Sequence, residues 1–227
     1  MDQKERGAMF IRSLTEQPAG LDGPQDVENS VLLARAGAIK PLVTLVVIGS
    51  PVAQAHACGA LANIANGQME YQDAIIDAGG IVAISAALRA GDAGLQEQAC
   101  AAMASVTQQP SSQQMAAKAG ATMPLISLLR NASEETKVHA SQSLANLAKG
   151  NLEGQQAIAR GGALPLLVNL LGGGKAQEAA AHAIAKLAQD NEPIQAEITQ
   201  LETSLSFAES EVLRLGTELR ERTMAFD

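Results

Sequence analysis

Polar side chains recur inside apolar stretches of this 227-residue chain, at intervals of 40 to 42 residues. One row consists of Asn63, Ser105, Asn146 and Lys186, and each follows a large apolar residue and an alanine. A side-chain amide donates and accepts hydrogen bonds at once. Because a purely apolar core does not predict polar residues here, hydrogen bonding to another molecule is the chemistry that this row offers.

Two further rows precede the first by one and two helical turns. Gln142 and His182 belong to the nearer row, and His56 and His139 belong to the farther one. His56 and His139 lie two sequence periods apart, which is roughly 20 Å if each period adds one packed helix. A shared zinc ion needs ligand atoms at about 2 Å. We therefore predict no metal site, and we expect the histidines to make hydrogen bonds or peptide contacts.

The segment that most resembles a catalytic motif lacks its essential residues. Gly172-Gly173-Gly174-Lys175 is similar to a phosphate-binding loop, but Ala176 stands where Ser or Thr would contact Mg²⁺. The sequence contains no Gly-x-Ser-x-Gly motif and no paired Cys and His of a nucleophilic site. We predict that the chain is not an enzyme and binds no cofactor.

The composition excludes two classes of partner. The formal net charge is −8, whereas nucleic-acid binding requires a positive field, so we expect no nucleic-acid partner. Apolar residues make up 47% of the chain, yet none of its apolar stretches reaches the roughly 20 residues of a membrane-spanning helix. We therefore expect no direct membrane insertion.

The two cysteines indicate the compartment. Cys58 and Cys100 hold equivalent positions in successive periods, and Ser141 and Ala181 follow at that position. The position therefore requires a small side chain, and we predict two unpaired structural thiols. Free thiols are typical of reducing compartments, so we expect an intracellular, cytoplasmic protein, with the nucleus and organelles open as alternatives.

Four similar segments, starting at residues 36, 78, 119 and 161, set the architecture. A fixed period near 42 residues is typical of a solenoid built from helical units. An Ala-Gly or Gly-Gly pair ends a short first helix in each unit, and proline fits the first turn of a second helix. Ser50, Asp92 and Ser133 are predicted N-caps of a longer third helix. The predicted repeats are 25–66, 67–107, 108–149 and 150–190.

Three helices per unit, together with the motifs AGAIKPL (36–42) and LANLA (144–148), resemble the armadillo repeat. The resemblance implies an all-α, right-handed α-solenoid of about four repeats whose third helices form a concave groove. In family members such as beta-catenin and importin-alpha, an Asn near the end of each third helix holds the backbone of an extended peptide. The groove residues that this implies are Asn63, Ser105, Asn146, Lys186, Gln142, His182, His56 and His139. The tryptophan row of importin-alpha is absent, because the chain has no Trp, which disfavours nuclear-import cargo.

Both ends differ from the repeats. Residues 1–24 are predicted to form a helix equivalent to a third helix alone, followed by a loop. This helix is either a cap of the solenoid or the remnant of a longer array. Residues 191–227 are predicted to form one long helix, whose heptad spacing gives a seam of Ile198, Leu201, Leu205, Val212, Leu215 and Leu219. This seam either covers the last repeat or pairs with another chain as a coiled coil, and its Glu-rich flanks would suit a basic partner helix.

These features together predict a non-catalytic scaffold or adaptor that binds a polypeptide segment, extended or helical, in its groove. Two alternatives stay open. The chain could be an architectural subunit that is held in a large assembly by its convex face or its C-terminal helix. It could also be the recognition domain of a larger regulatory protein such as a ubiquitin ligase.

Overall fold

A computed structural model describes residues 3–15 and 25–206, and the regular elements in these two ranges are all α-helices. In chain order they are α1 (Gln3–Thr15), α2 (Gln25–Arg35), α3 (Ile39–Ile48), α4 (Pro51–Ala65), α5 (Met69–Asp77), α6 (Gly80–Ala87), α7 (Ala93–Val106), α8 (Pro110–Lys118), α9 (Thr122–Asn131), α10 (Glu134–Ala148), α11 (Leu152–Arg160), α12 (Ala163–Leu170), α13 (Gln177–Ala188) and α14 (192–206).

The helices repeat in groups of three, and the longest helix of each group stacks on its counterpart in the next. Helices α1, α4, α7, α10 and α13 form this continuous third-helix row, and the second helices α3 and α6, and α9 and α12, also pack in sequence. Each unit therefore buries its apolar face against its neighbours. The predicted all-α solenoid is confirmed, and α1 packs on α4 as one third helix packs on the next.

Local signals fix the helix ends where the sequence predicts them. The turn between first and second helices needs a left-handed residue, and glycine supplies it in each repeat, with φ of 82°, 80°, 73° and 79° at Gly37, Gly79, Gly120 and Gly162. Each predicted N-cap side chain accepts a backbone N–H three residues later. These bonds measure 3.3 Å at Ser50, 2.8 Å at Asp92 and 3.1 Å at Ser133.

The core is aliphatic and tightly packed along the third helices. Alanines and leucines such as Ala60, Leu61 and Leu144 are fully buried, and the small alanines allow the helices to approach closely. Cys58 and Cys100 are free thiols and both are buried. Burial raises the pKa of each thiol to about 12 because it disfavours the charged thiolate.

Helix α14 begins as the first helix of a further unit. The Asn191 side chain caps it by accepting the Ile194 N–H at 3.4 Å. Ile194 and Ile198 are only 3% and 9% exposed, and the half-buried Leu201 packs on the same core. The N-terminal part of the predicted seam therefore covers the last repeat. Val212, Leu215 and Leu219 lie outside the described residues.

No single helix within residues 3–15 and 25–206 is both long and apolar enough to cross a bilayer. The segments Asn29–Arg35 and Ile39–Ile48 reach that length and apolarity only as a pair, and the pair bends by 86°.

Candidate functional site

A cleft of about 390 Å³ crosses the third-helix row between α1, α4, α7 and α10. Four of the residues that the sequence predicts for the groove line it, namely Asn63, Ser105, His139 and Gln142. All four are polar, and three of them are half-buried while Gln142 is exposed. The cleft can therefore offer hydrogen-bond donors and acceptors to a ligand that reaches across three successive helices.

Alanines give the same cleft an apolar component. Ala62, Ala101 and Ala104 contribute to the lining, in alternation with the polar residues of α4 and α7. Short side chains at these positions leave room for a ligand close to the helix backbones. The cleft thus combines apolar surface with a few placed polar groups, which is typical of binding sites.

Arg12, Gly59 and Gln98 complete one end of the cleft. A Cβ atom on residue 59 would lie 2.8 Å from Oε1 of Gln98 and 3.0 Å from Nε of Arg12. Because residue 59 is glycine, both long side chains can rest against α4. The guanidinium group of the N-terminal helix therefore enters the wall formed by the full repeats.

Sequence reasoning did not select Arg12, although a signal was present. Aligned on the polar row, Arg12 falls at the position that holds alanine in the four full repeats, which are Ala62, Ala104, Ala145 and Ala185. A charged residue at a position that is otherwise alanine indicates a different environment for that side chain. The difference becomes visible only when α1 is aligned with the third helices of the full repeats.

Asn146 is tied into the wall of the solenoid. Its Nδ2 donates to the backbone oxygen of Ala104 at 2.9 Å and lies 3.4 Å from Oγ1 of Thr107. Ala104 lines the cleft, whereas Asn146 lies just outside the lining. The two asparagines predicted for the groove, Asn63 and Asn146, thus lie in the same third-helix row, but Asn63 belongs to the cleft lining and Asn146 does not.

The remaining predicted residues are spread along the row. Nδ1 of His139 lies 3.3 Å from Oε1 of Gln142 within the cleft. His56 is half-buried on α4, and on α13 His182 is exposed and Lys186 is half-buried; all three lie outside the cleft lining. Within residues 3–15 and 25–206, no group of three or more His, Cys, Asp or Glu side chains could hold a metal ion together.

Sequence and structure comparisons identify the architecture. The model of the armadillo/beta-catenin-like repeat matches residues 26–66. A designed armadillo repeat protein, YIII(Dq)4CqI, is 30% identical, with a TM-score of 0.76 over 88% of this chain and 83% of its own.

The chain belongs to the armadillo-repeat family. Two further designed armadillo proteins, also 30% identical, superpose on it. The first, YIII(Dq.V1)4CPAF in complex with the peptide (KR)4, has a TM-score of 0.73 and the match covers 90% of this chain and 82% of that one. The second, computationally designed for modular peptide recognition, has a TM-score of 0.75 over 88% and 83%. No curated protein matches the chain in sequence.

The glycine-rich segment before α13 connects the second and third helices of the fourth armadillo repeat. Nζ of Lys175 donates to Oε1 of Glu135 at the start of α10, and this hydrogen bond lowers the pKa of the Glu135 carboxyl. Gly174 has φ of 93°, and a Cβ there would lie 2.7 Å from Oε2 of Glu134. A left-handed turn against α10 explains the glycine, and the lysine contacts a carboxylate of the preceding repeat.

A larger hollow of about 650 Å³ lies between the first helices α8 and α11 of the armadillo array, beside α9. Met123 and Ala157 are among its apolar lining residues, and Lys118 and Glu153 are its charged ones. None of the repeated polar residues of the third-helix row lines it. We therefore assign the candidate site to the smaller cleft, where side chains of several repeats converge.

Proposed function

We propose that the protein is a non-catalytic scaffold or adaptor that binds a polypeptide segment of another protein along its third helices. The observation that carries this proposal is the cleft in which Asn63, Ser105 and Gln142 from three successive repeats converge. An extended chain presents an N–H and a C=O at every residue, and side-chain amides can bind both groups. A row of such side chains, one from each repeat, can bind the backbone of an extended polypeptide at several points.

Relatives with the same fold support the choice of a peptide as ligand. One designed armadillo protein is described in complex with the peptide (KR)4, and another is described as made for modular peptide recognition. The two buried free thiols, Cys58 and Cys100, are consistent with an intracellular, reducing location, and we propose a cytoplasmic location on that ground.

Peptide selection followed by a matched pair of substitutions tests the proposal. Random dodecapeptides displayed on phage are selected on the full chain, and their affinities are measured by fluorescence anisotropy. Asn63→Ala is expected to weaken binding about fivefold, because one hydrogen bond contributes about 1 kcal/mol. The control Asn169→Ala changes an exposed asparagine on the second helix α12 and should leave affinity unchanged.

Two outcomes would contradict groove binding. One is a selection that yields no peptide of measurable affinity. The other is an equal loss in Asn63→Ala and Asn169→Ala, because ligands would then not distinguish the third-helix row from the second helices. Circular dichroism of both variants checks that the helical content is retained.

A second candidate function, an architectural subunit, has one observation in its favour. Apolar residues on the second helices stand exposed, with Ile48 at 63%, Val82 at 61% and Met123 at 60%. Such a surface could be held by neighbours in a large assembly. A partner that binds Asn63→Ala normally but loses affinity for Val82→Asp would favour this function.

If the protein is an architectural subunit, its C-terminal helix is a second surface that could contact a neighbour. Its first turns pack on the core of the solenoid through Ile194 and Ile198, so a coiled coil with a basic partner helix would use the predicted seam from Leu205 onward. Removal of residues 207–227 tests this directly. Loss of the partner on removal, with groove variants still bound, would assign the interaction to the tail.

A further inference from the structure

Amide pairs connect the first helices to the repeat that follows them. Nε2 of Gln72 on α5 donates to Oε1 of Gln108 at 3.1 Å, and Nδ2 of Asn191 donates to Oε1 of Gln155 on α11 at 2.9 Å. In both pairs the second amide stands 36 residues after the glutamine. A side-chain amide can close such a contact because it both donates and accepts.

The corresponding contact of the first helix α8 is open. Thirty-six residues after Gln113 the chain has Lys149 in place of an amide. Gln113 is only 3% exposed, yet its side chain forms no hydrogen bond with any residue in 3–15 and 25–206. A buried amide without a partner is unfavourable, so a ligand that bonds to Gln113 would be stabilised here.

A hollow of about 340 Å³ lies at this contact and includes Gln113 and Lys149 in its lining. Its volume is several times the roughly 30 Å³ of one water molecule. The hollow shares no lining residue with the cleft of the third-helix row. It is therefore a separate candidate site, at the edge where α8 meets the end of α10.

The side chains that line the hollow offer mainly hydrogen-bond donors. Oε1 of Gln108 already accepts from Gln72, and Oδ1 of Asn151 accepts the Gly154 N–H at 3.0 Å. Gln108 can therefore still offer its NH₂ group, and the ammonium group of Lys149 has three donors and no acceptor. A ligand that only accepts hydrogen bonds suits this set.

The two helix ends beside the hollow also favour an anion. Helix α8 begins at Pro110 in the lining, and its N-terminus has no side-chain cap, so the positive end of its dipole lies close by. At the end of α10 the carbonyl oxygens are already bonded. Leu147 O accepts from Nδ2 of Asn151 at 3.1 Å, and Ala148 O accepts from its backbone N at 3.2 Å.

We propose that this hollow binds a phosphate-type oxyanion, which accepts hydrogen bonds from Lys149 and Gln113 and so joins α8 to the end of α10. A phosphoryl group presents three strong acceptor oxygens, enough for donors from both sides of the hollow. Free phosphate and a phosphorylated side chain of a peptide share this chemistry. The proposal does not depend on peptide binding in the third-helix cleft.

Calorimetric titration of the full chain with sodium phosphate, at an ionic strength held constant with NaCl, tests the site. Saturable binding of one phosphate per chain is expected. Lys149→Gln should weaken it about tenfold, because a charge-assisted hydrogen bond is lost. The control Lys118→Gln removes an exposed lysine from the last turn of α8 and makes the same change in net charge, so it should bind phosphate as the wild type does.

Gln113→Leu separates a built site from simple attraction by a lysine. It should weaken phosphate binding about fivefold through the loss of one hydrogen bond. The free energy of unfolding without phosphate should not fall, since Gln113 has no side-chain hydrogen bond to lose among the described residues. Unchanged phosphate affinity in Gln113→Leu would overturn the proposal, as would an equal loss in Lys149→Gln and Lys118→Gln.

Two fluorescein-labelled peptides distinguish the sources of the anion. They are Gly-Ala-Gly-pSer-Gly-Ala-Gly and the same peptide with unmodified serine. Tighter binding of the phosphopeptide, abolished by Lys149→Gln, would assign the site to phosphorylated polypeptides. Phosphate binding without a difference between the peptides would assign it to the free ion. If neither phosphate nor the phosphopeptide binds, the proposal is wrong and the hollow holds water.

Discussion

Two rows of polar residues repeat along the solenoid with the same period but lie in different environments. The third-helix row of Asn63, Ser105 and Asn146 is half-buried beside or within the cleft. The first-helix row consists of Gln72, Gln113 and Gln155, which are 0%, 3% and 2% exposed. A polar residue that recurs at one repeat position therefore does not by itself indicate a binding surface. The exposure of its side chain distinguishes a residue that can contact a ligand from one that is buried between helices.

The glutamine row joins neighbouring helices by hydrogen bonds to the backbone carbonyl oxygens at helix C-termini. Nε2 of Gln72 donates to the backbone oxygen of Ala65 at 3.0 Å, in the last turn of α4. Nε2 of Gln155 donates at 3.0 Å to the oxygens of Lys186 and Gln189 at the end of α13. The last carbonyls of a helix have no partner within the helix, so these glutamines provide their hydrogen bonds.

Asn146 shows that the third-helix row is itself divided. Its amide donates to Ala104 of the preceding repeat, as a first-helix glutamine would, and it lies outside the cleft lining to which Asn63 belongs. The two asparagines therefore differ in their access to a ligand in the cleft. The comparison of the two rows predicts that glutamine changes lower stability and that cleft changes lower affinity.

Gln155→Leu should give the largest effect. Leucine has a similar size but cannot bond the oxygens of Lys186 and Gln189, nor accept the Asn191 Nδ2 donor that lies 2.9 Å from Oε1. Each buried polar group left without a partner costs about 1–3 kcal/mol. We expect the free energy of unfolding to fall by about 3 kcal/mol in urea titrations, with the affinity for a selected dodecapeptide unchanged.

Gln156→Leu is the matched control, since Gln156 is exposed on the same helix and its Oε1 contacts Arg160. Its unfolding free energy should stay within about 0.5 kcal/mol of the wild type. If both leucine variants are equally stable, the glutamine row does not hold the helices together, and the distinction between the two rows is wrong.

Much of the fold could be predicted from the sequence because its signals are local. Gly37 and Gly79 are needed for left-handed turns, and Ser50 and Asp92 cap the helices that follow them. The role of Gln155 could not be predicted, although its 41- to 42-residue spacing from Gln113 and Gln72 is visible. Its partners are backbone oxygens more than 30 residues away, which appear only once the helices are packed.

The candidate site was predictable in position but not in composition. The repeat alignment places Asn63, Ser105, His139 and Gln142 together, and the structure brings them to one cleft. Arg12 reaches that cleft across Gly59, and a glycine permits such an approach without indicating what will fill the space. Long-range contacts of flexible side chains therefore required the structure.

Asn146→Ala should give an intermediate effect on stability. Loss of the 2.9 Å hydrogen bond to Ala104 is expected to lower the unfolding free energy by about 1 kcal/mol. The affinity for a dodecapeptide should fall less than in Asn63→Ala. The control Gln142→Ala removes an exposed side chain of the same helix and should be near neutral in stability. A larger affinity loss in Asn146→Ala than in Asn63→Ala would mean that Asn146 faces the guest.

Ser141→Ala should give the smallest effect, and with the opposite sign. Ser141 occupies the small-residue position of Cys58 and Cys100, is fully buried, and its Oγ has no hydrogen-bond partner among the described residues. Removal of a buried hydroxyl without a partner relieves an unfavourable desolvation, and alanine favours the helix. We expect a gain of about 0.5 kcal/mol in urea titrations.

Ser143 provides the matched comparison on the same helix. It is equally buried, but its Oγ donates to the backbone oxygen of His139 at 2.9 Å and lies 3.4 Å from that of Cys100. Ser143→Ala loses these bonds, so it should be less stable than Ser141→Ala by about 1 kcal/mol. Equal stability of the two variants would show that burial and helix propensity, rather than hydrogen bonding between repeats, determine the contribution of polar residues in this wall.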